Sequence, residues 1–266
     1  ITLTGSELQN ISANELQLGT NARFGAANID NVTDANSTQI TTAVVTTSGV
    51  TTFSGSNSTF NALTVNADTL AVVDGVTVSA TTGTMTLTAS DLNLNTSGAL
   101  NGTIIVINES NTDGIGLGDG SAGSGNMSIS GAELQNITAS TNVTLNTAGG
   151  ITVDGVTADN SNNIPTLFLI ATNQITFNGT TSVFNALDAA SNQEIEISVT
   201  ATTDNFGGDN SIDDVALATD TGDLILDGDV NIVNDAGTDS IDINQVGAGD
   251  AAVLLISAGN LQLKAP

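Results

Sequence analysis

The sequence predicts an all-β protein, an elongated right-handed parallel β-helix (β-solenoid), and three observations support this. Apolar residues recur in pairs separated by one residue, as in Leu63-Thr-Val65 and Ile151-Thr-Val153. Gly, Asn, Asp and Ser fill the short gaps between pairs. The chain also repeats itself, because the phrase ISANELQL at residues 11–18 returns as ISAGNLQL at residues 256–263. Self-similarity of this kind is typical of repeat architectures.

The spacing of the apolar pairs indicates strands rather than helices. A period of two places both apolar members of a pair on one face of a strand. Thr and Val suit pleated strands, whereas Thr, Val, Asn and Gly are mediocre or poor helix formers. The turn residues between pairs leave about three to five residues for each strand. We therefore expect short strands and no sizeable helix.

A β-helix fits this pattern better than a β-sandwich. Sandwich strands usually have about five or six residues and enclose bulky aromatic side chains, whereas Phe, present seven times, is the only aromatic residue here. Stacked coils would align inward Val, Ile, Leu and Phe, and outward Thr, Ser and Asn stack without charge repulsion. Three strands per coil would give coils of roughly 20 to 25 residues, hence about eleven to thirteen coils.

Longer matches predict a duplicated unit. The block ITLTGSELQNIS at Ile1 returns as MSISGAELQNIT at Met127, and TTFSGSNSTFNAL at Thr51 returns as ITFNGTTSVFNAL at Ile175. The two shifts, 126 and 124 residues, agree closely. We predict one repeat over residues 1–126, a second over 127–250 with an insertion around 188–215, and the start of a further repeat over 251–266.

The composition limits the partners and the chemistry. Among 266 residues, 28 acidic and two basic ones give a net charge of −26. Such a charge repels nucleic acid and attracts cations, and no run of about 18 apolar residues suggests membrane insertion. His and Cys are absent, which excludes His-based triads, thiol nucleophiles and typical zinc sites. With Arg23 and Lys264 as the only basic residues and no Tyr or Trp platform, we expect no enzyme; a carbohydrate-active β-helix is the least favoured alternative.

A glycine-rich segment, DGIGLGDGSAGSG, covers residues 113–125. It lacks the Lys and the following helix of a phosphate-binding loop. It also lacks the Gly-Gly-x-Gly-x-Asp order of calcium-binding nonapeptides. The sequence therefore predicts a flexible loop at the junction of the two copies.

The last quarter of the chain is rich in Asp and contains the metal-site candidates. The segment DGDVNIVND at residues 227–235 starts like an EF-hand loop but lacks the Gly at the sixth place and the Glu at the twelfth. Oxygen-rich turns on neighbouring coils remain suitable for calcium. The candidate ligands are Asp227, Asp229, Asp239 and Asp242.

A family resemblance adds an expected function. The stretch SGAELQNITASTNVTLNTAGGITVDGVTA at residues 130–158 resembles the central repeats of filamentous-haemagglutinin-like exoproteins, which are large bacterial surface and secreted proteins of the two-partner secretion type. The resemblance implies a β-helical fibre for adhesion or cell contact at the cell surface or outside the cell. It implies no catalytic residues.

We therefore expect a structural, fibre-forming or adhesive segment. Its expected partners are copies of itself or flanking repeats, joined end to end, and the surface of a host or neighbouring cell. Both ends of the sequence follow the repeat pattern, which favours a segment of something longer. The alternative is a calcium-binding module of the surface-layer or phage-fibre type.

Divalent cations should stabilise the Asp-rich region from Asp204 to Asp250. Stacked coils would bring carboxylates of neighbouring levels within about 5 Å, where their repulsion is costly unless a cation or proton intervenes. Thermal melting at fixed ionic strength should therefore shift upward with calcium and downward with a chelator. An unchanged melting temperature would contradict specific sites, and a response to sodium alone would indicate general screening.

Overall fold

The computed structural model describes two compact units. The first comprises Ile1–Ser110 and Asn136–Asn142, and the second comprises Asn111–Gln135 and Val143–Pro266. The described residues are 4–19, 25–120, 127–180, 182, 184–193, 195–198, 204–206, 215–219, 224–227, 230–233, 241–245 and 261–264. Beyond residue 195 the description covers the strand backbones alone.

The first unit consists of short strands and two single-turn helices. Its elements are α1 (Gly5–Leu8), β1 (Ala13–Leu18), β2 (Ala27–Asp30), α2 (Asp34–Ser37), β3 (Ile40–Thr46), β4 (Val50–Ser54), β5 (Ser58–Phe60), β6 (Ala62–Asn66), β7 (Thr69–Val72), β8 (Thr77–Ala80), β9 (Met85–Ala89), β10 (Asp91–Leu94) and β11 (Ala99–Glu109).

These strands form three sheets in which every described pairing is parallel. One sheet has the order β1-β3-β6-β9-β11, the second has the order β2-β4-β7-β10, and the third contains β5, β8 and the start of β11. Leu63 pairs with Met85, and Met85 pairs with Ile105, so these two coils take 22 and 20 residues before the chain returns. The predicted all-β parallel β-helix is confirmed.

The second unit repeats this construction. Its elements are β12 (Ile115–Leu117), β13 (Met127–Ile129), α3 (Gly131–Gln135), β14 (Ile137–Thr147), β15 (Ile151–Val153), α4 (Ala158–Ser161), β16 (Leu167–Ala171), β17 (Ile175–Phe177), β18 (Leu187–Ser191), β19 (Ile195–Ser198), β20 (Asp204–Phe206), β21 (Val215–Thr219), β22 (Leu224–Asp227), β23 (Val230–Val233), β24 (Ile241–Gln245) and β25 (Leu261–Lys264). Residues 137–142 of β14 belong to the first unit.

The sheets of the second unit are also parallel. Their orders are β14-β16-β18-β21-β24, β13-β12-β15-β17-β19-β22 and β20-β23-β25. The second order departs from the chain sequence, because β12 lies between β13 and β15.

The prediction of a flexible junction loop is wrong for Ile115–Leu117. These residues form β12, and all three are buried. Gly114 and Gly118 flank the strand with φ of 96° and 95°, in the left-handed region that favours glycine. The two glycines therefore allow β12 to lie where a Cβ atom at either flanking position would overlap neighbouring backbone. Residues 121–126 lie outside the described part of the chain.

Stacked apolar side chains fill the coils of the first unit that follow β1 and β2. The ladder Leu63–Met85–Ile105 is fully buried, with exposed fractions of 0% at each position. Burial of one such side chain contributes about 1.5 to 3 kcal/mol. Phe53 and Phe60 make an edge-to-face contact with ring centroids 6.4 Å apart. The period-two apolar pairs thus supply the core, as the sequence indicates.

Helix is confined to single turns at corners of the coil. The four described helices have four or five residues, so none of them is long enough to cross a membrane. At α1, Thr4 and Glu7 form a capping box, in which the Thr4 amide and hydroxyl donate to Glu7 Oε2 at 2.9 and 2.7 Å. The hydrogen bond from the Thr4 amide lowers the pKa of Glu7 most, and the bond from the Thr4 hydroxyl lowers it further.

An Asp at the end of β2 hydrogen-bonds the corner of the next coil. Asp30 Oδ1 accepts the Ser56 amide at 2.9 Å. Gly55, with φ of 69°, places that amide there, and a Cβ at Gly55 would overlap the Asp30 carboxylate. The left-handed turn and the hydrogen bond therefore require each other.

The second unit contains the same corner 124 residues later in the chain. Asp154 Oδ1 accepts the Thr180 amide at 2.6 Å, and Gly179 has φ of 70° beside the Asp154 carboxylate. The duplication seen in the sequence therefore extends to individual hydrogen bonds.

An Asn in each unit fixes the end of the second helix of that unit. Asn61 Nδ2 donates to the carbonyl oxygens of Ser37, Thr38 and Ile40 at 3.4, 3.3 and 2.9 Å. Asn185 makes the same three contacts in the second unit, at 3.4, 3.3 and 3.0 Å. One amide thus satisfies carbonyls that a single-turn helix leaves unpaired.

Replacing Gly55 by Ala should destabilise the protein more than replacing Gly75. Gly75 has a similar φ of 75°, but a Cβ there would meet nothing within 4 Å. Gly75→Ala should therefore cost only the left-handed backbone strain, about 1 to 2 kcal/mol. Gly55→Ala should cost that amount plus the Asp30–Ser56 hydrogen bond, about 1.5 to 3 kcal/mol more. Urea unfolding of the two variants measures the difference.

A double-mutant cycle tests the cause. In an Asp30→Ala background the hydrogen bond is already absent, so Gly55→Ala should cost about as much as Gly75→Ala. Equal costs for Gly55→Ala in both backgrounds would show that the carboxylate is irrelevant to this glycine.

Candidate assembly interface

The first described coil has an open edge. β1 and β2 are each the last strand of their sheet, so no described strand pairs with their outer edges. The inward side chains of these strands are only half-buried at Leu16, Leu18 and Ile29, whereas their counterparts one coil later are buried. Unpaired strand edges with apolar side chains are the usual template for pairing with another strand.

A cavity of about 390 Å³ opens between these strands and the next coil. Apolar side chains line most of it, including Leu8, Leu16, Ile29, Val45 and Phe60. The cavity is therefore lined mainly by inward apolar side chains of the coil, unlike a cleft with convergent polar groups.

The corresponding face of the second unit is closed. Ile151 and Val153 of β15 occupy the positions of Ala27 and Ile29 by the shift of 124 residues, and both are buried. What closes this face is β12, which pairs Ile115 with Ile151 and Leu117 with Val153. Among the described residues, the second copy thus has a covering strand at this edge and the first copy has none.

Main-chain hydrogen bonds hold β12 against β15. The Ile115 amide donates to the Gly150 carbonyl at 2.9 Å, and the Asp154 amide donates to the Leu117 carbonyl at 2.9 Å. The Gly120 amide then donates to the Asp154 carbonyl at 3.1 Å. These bonds depend on backbone geometry, so any strand that carries apolar side chains at the two inward positions can make them.

The opposite edge of β12 is held in the same way. The Gly118 amide donates to the Ile129 carbonyl at 2.9 Å, and the Met127 amide donates to the Gly114 carbonyl at 3.3 Å. Main-chain hydrogen bonds therefore hold β12 along both of its edges.

The calcium prediction is not tested by the described residues. Asp227 ends β22 and Asp242 lies in β24, but only the backbone is described at both positions. Asp229 and Asp239 lie outside the described residues. Within the part whose side chains are described, no three acidic residues come together as a metal-binding group. The four candidates remain a prediction.

Comparison with known proteins finds no match. The chain matches no family model, no curated protein and no solved structure. The resemblance to filamentous-haemagglutinin-like repeats therefore stays a prediction, whereas the structure itself shows the β-solenoid fold.

Asp188 gives the outer surface of the second unit a pH response. It lies on β18, in register with Phe168 of β16 and Ala216 of β21, neither of which offers a charge or a hydrogen-bonding side chain. Partial burial raises the pKa of Asp188 above its ordinary value of 3.8. The folded protein therefore favours the neutral form of the Asp188 carboxyl more than the unfolded chain does.

Asp188→Asn should raise the melting temperature at pH 7. A carboxyl whose pKa is raised by folding adds stability below its unfolded pKa and loses that contribution as pH rises through the folded pKa. The gain from Asp188→Asn should therefore be present at neutral pH and vanish below about pH 3.8. Asp159→Asn, at an exposed position on α4, is the control. A gain that is the same at pH 3 and pH 7 would contradict the assignment.

Proposed function

We propose that this chain is a non-enzymatic structural module of a fibre outside the cell or on its surface, in which β-solenoid repeats stack coil on coil. The observation that supports the proposal is the open edge formed by β1 and β2. That edge combines main-chain groups that no described strand pairs with and the half-buried apolar side chains of Leu16, Leu18 and Ile29. Both features become satisfied when another coil of like cross-section is added.

The construction of the coil supports the same proposal. Outward positions carry uncharged polar side chains that bond between levels, as Asn108 Nδ2 does to Thr88 Oγ1 at 3.3 Å. Such ladders extend to further coils without accumulating like charges. The residue types offer no His or Cys chemistry.

Adhesive contact would use these lateral ladders, and stacking would use the coil edge. The two activities therefore require different surfaces of the molecule. A fibre with a ligand on the side of the rod follows from the proposal, and the host or neighbouring-cell surface is the proposed partner for that side.

Self-association of the purified chain should depend on Leu16. Leu16→Asp places a charge without a partner where an added coil would bury it, which costs several kcal/mol. We expect sedimentation velocity to show concentration-dependent association of the unaltered chain, weakened at least tenfold by Leu16→Asp. Salt should strengthen the association, because copies with a net charge of −26 repel each other.

The matched control is Ile170→Asp. Ile170 is a large apolar residue with 42% of its surface exposed, but it lies within a sheet between β14 and β18 rather than at the open edge. This variant should associate like the unaltered chain. The proposal fails if the unaltered chain stays monomeric at high salt and high concentration, or if both variants behave alike while circular dichroism shows both folded.

A further inference from the structure

The strand β12 belongs to one repeat in sequence and to the other in space. It precedes Met127, where the block of Ile1 returns, yet it packs in the second unit between β13 and β15. The chain leaves the first unit after Ser110, contributes residues 111–135 to the second unit, and returns to the first for residues 136–142. The first repeat therefore donates a strand to the second.

The strand has features that suit donation. Its inward residues are Ile115 and Leu117, and the residue between them is Gly116. A Cβ at Gly114 or Gly118 would overlap the backbone of Gly150 or Asp154, so glycine is required at both ends. An apolar–small–apolar strand between two glycines is thus what the acceptor accommodates.

The first unit has the same acceptor edge, and no strand among its described residues pairs with it. Asp30 is the last residue of β2, and Asp154 directly follows β15. The carboxylate of each accepts a hydrogen bond from an amide at the next corner of the coil. Ile29 pairs with Phe53 as Val153 pairs with Phe177. The outer edge of β15 pairs with β12, whereas β2 is the terminal strand of its sheet and borders the 390 Å³ cavity.

We propose that the outer edge of β2 is an acceptor site for a β12-type strand carried by a second copy of this repeat. The strand would pair in parallel with β2, with its two apolar residues opposite Ala27 and Ile29 and its middle glycine opposite Asn28. Its apolar side chains would fill the cavity, and its main chain would bond the edge as β12 bonds β15. The inference rests on the proposed stacking of repeats and states how one repeat engages the next, namely by strand donation.

Ala27 makes this acceptor distinct from the closed one. It occupies the position of Ile151, so the side chain opposite the first apolar residue of the incoming strand is smaller. Because interiors are close-packed, a larger apolar residue at that place in the incoming strand should fill the space better. A peptide with Ile115→Phe should therefore bind β2 more tightly than the parent peptide.

Disulfide trapping with a synthetic peptide of residues 109–120, in a glutathione buffer whose oxidised form accepts the two electrons, tests the site in the full chain. The chain has no cysteine, so Asn28→Cys supplies a single thiol on the outward face of β2, and Gly116→Cys in the peptide supplies its partner. Residues paired across parallel strands lie about 4.8 Å apart, within reach of a disulfide. We expect trapping that saturates with peptide concentration.

The control places the same thiol in the occupied acceptor. Thr152→Cys in β15 is the counterpart of Asn28→Cys, but the chain's own β12 pairs there, with Gly116 opposite Thr152. A tethered strand outcompetes a free peptide because of its effective concentration. Trapping at position 28 should therefore be at least tenfold faster than at position 152. A peptide with Ile115→Asp and Leu117→Asp should lose this advantage.

The outcomes separate this inference from the proposed function. Equal trapping at both positions, or trapping that is indifferent to the two Asp substitutions, overturns strand donation. If the peptide fails to be trapped while Leu16→Asp still weakens self-association at least tenfold, the repeats stack by another contact and strand donation is wrong. If the peptide is trapped specifically while the chain remains monomeric, the acceptor site is correct and the proposed fibre function is the part that fails.

Discussion

Parallel main-chain hydrogen bonding between residues one coil apart is the interaction on which the rest of this structure depends. Each strand can satisfy its amides and carbonyls only against a strand of the preceding or following coil. The cross-section must therefore be nearly constant, which fixes where apolar residues fall, where the chain turns and where glycine is needed. The stacked ladder Leu63–Met85–Ile105 and the corner made by Asp30 and Gly55 follow from that one requirement.

The same requirement explains why the duplication is so literal. A corner held by a carboxylate and a left-handed glycine, and a helix end held by an Asn side chain, tolerate few alternatives. Both copies therefore retain all three residues, at Asp30, Gly55 and Asn61 and again 124 residues later. Positions that face solvent are less constrained. Asp188 stands in the second copy where the first has Thr64, and partial burial raises the pKa of its carboxyl.

Much of the fold could be predicted from the sequence, because period-two pairs and repeated phrases are local signals of a stacked coil. Ile115-Gly-Leu117 carries such a pair, yet the glycines around it favoured a loop. Local pattern reports that a segment is strand-like but does not report its neighbours, so the order β13-β12-β15 and the open edge of β2 could not be predicted. The metal candidates stay predictions, since their side chains lie beyond the described ones.

The out-of-order position of β12 has a consequence for biosynthesis. A solenoid whose strands follow chain order can be wound one level at a time as the chain emerges, each new strand adding to an existing edge. β12 is made before β13 and β15, so neither of the edges that grip it exists when it emerges. Both of its pairings can be complete only after residues up to Val153 have been made. Closing the junction is thus a non-local step, and non-local pairing carries a loop-closure cost that addition of neighbouring strands avoids.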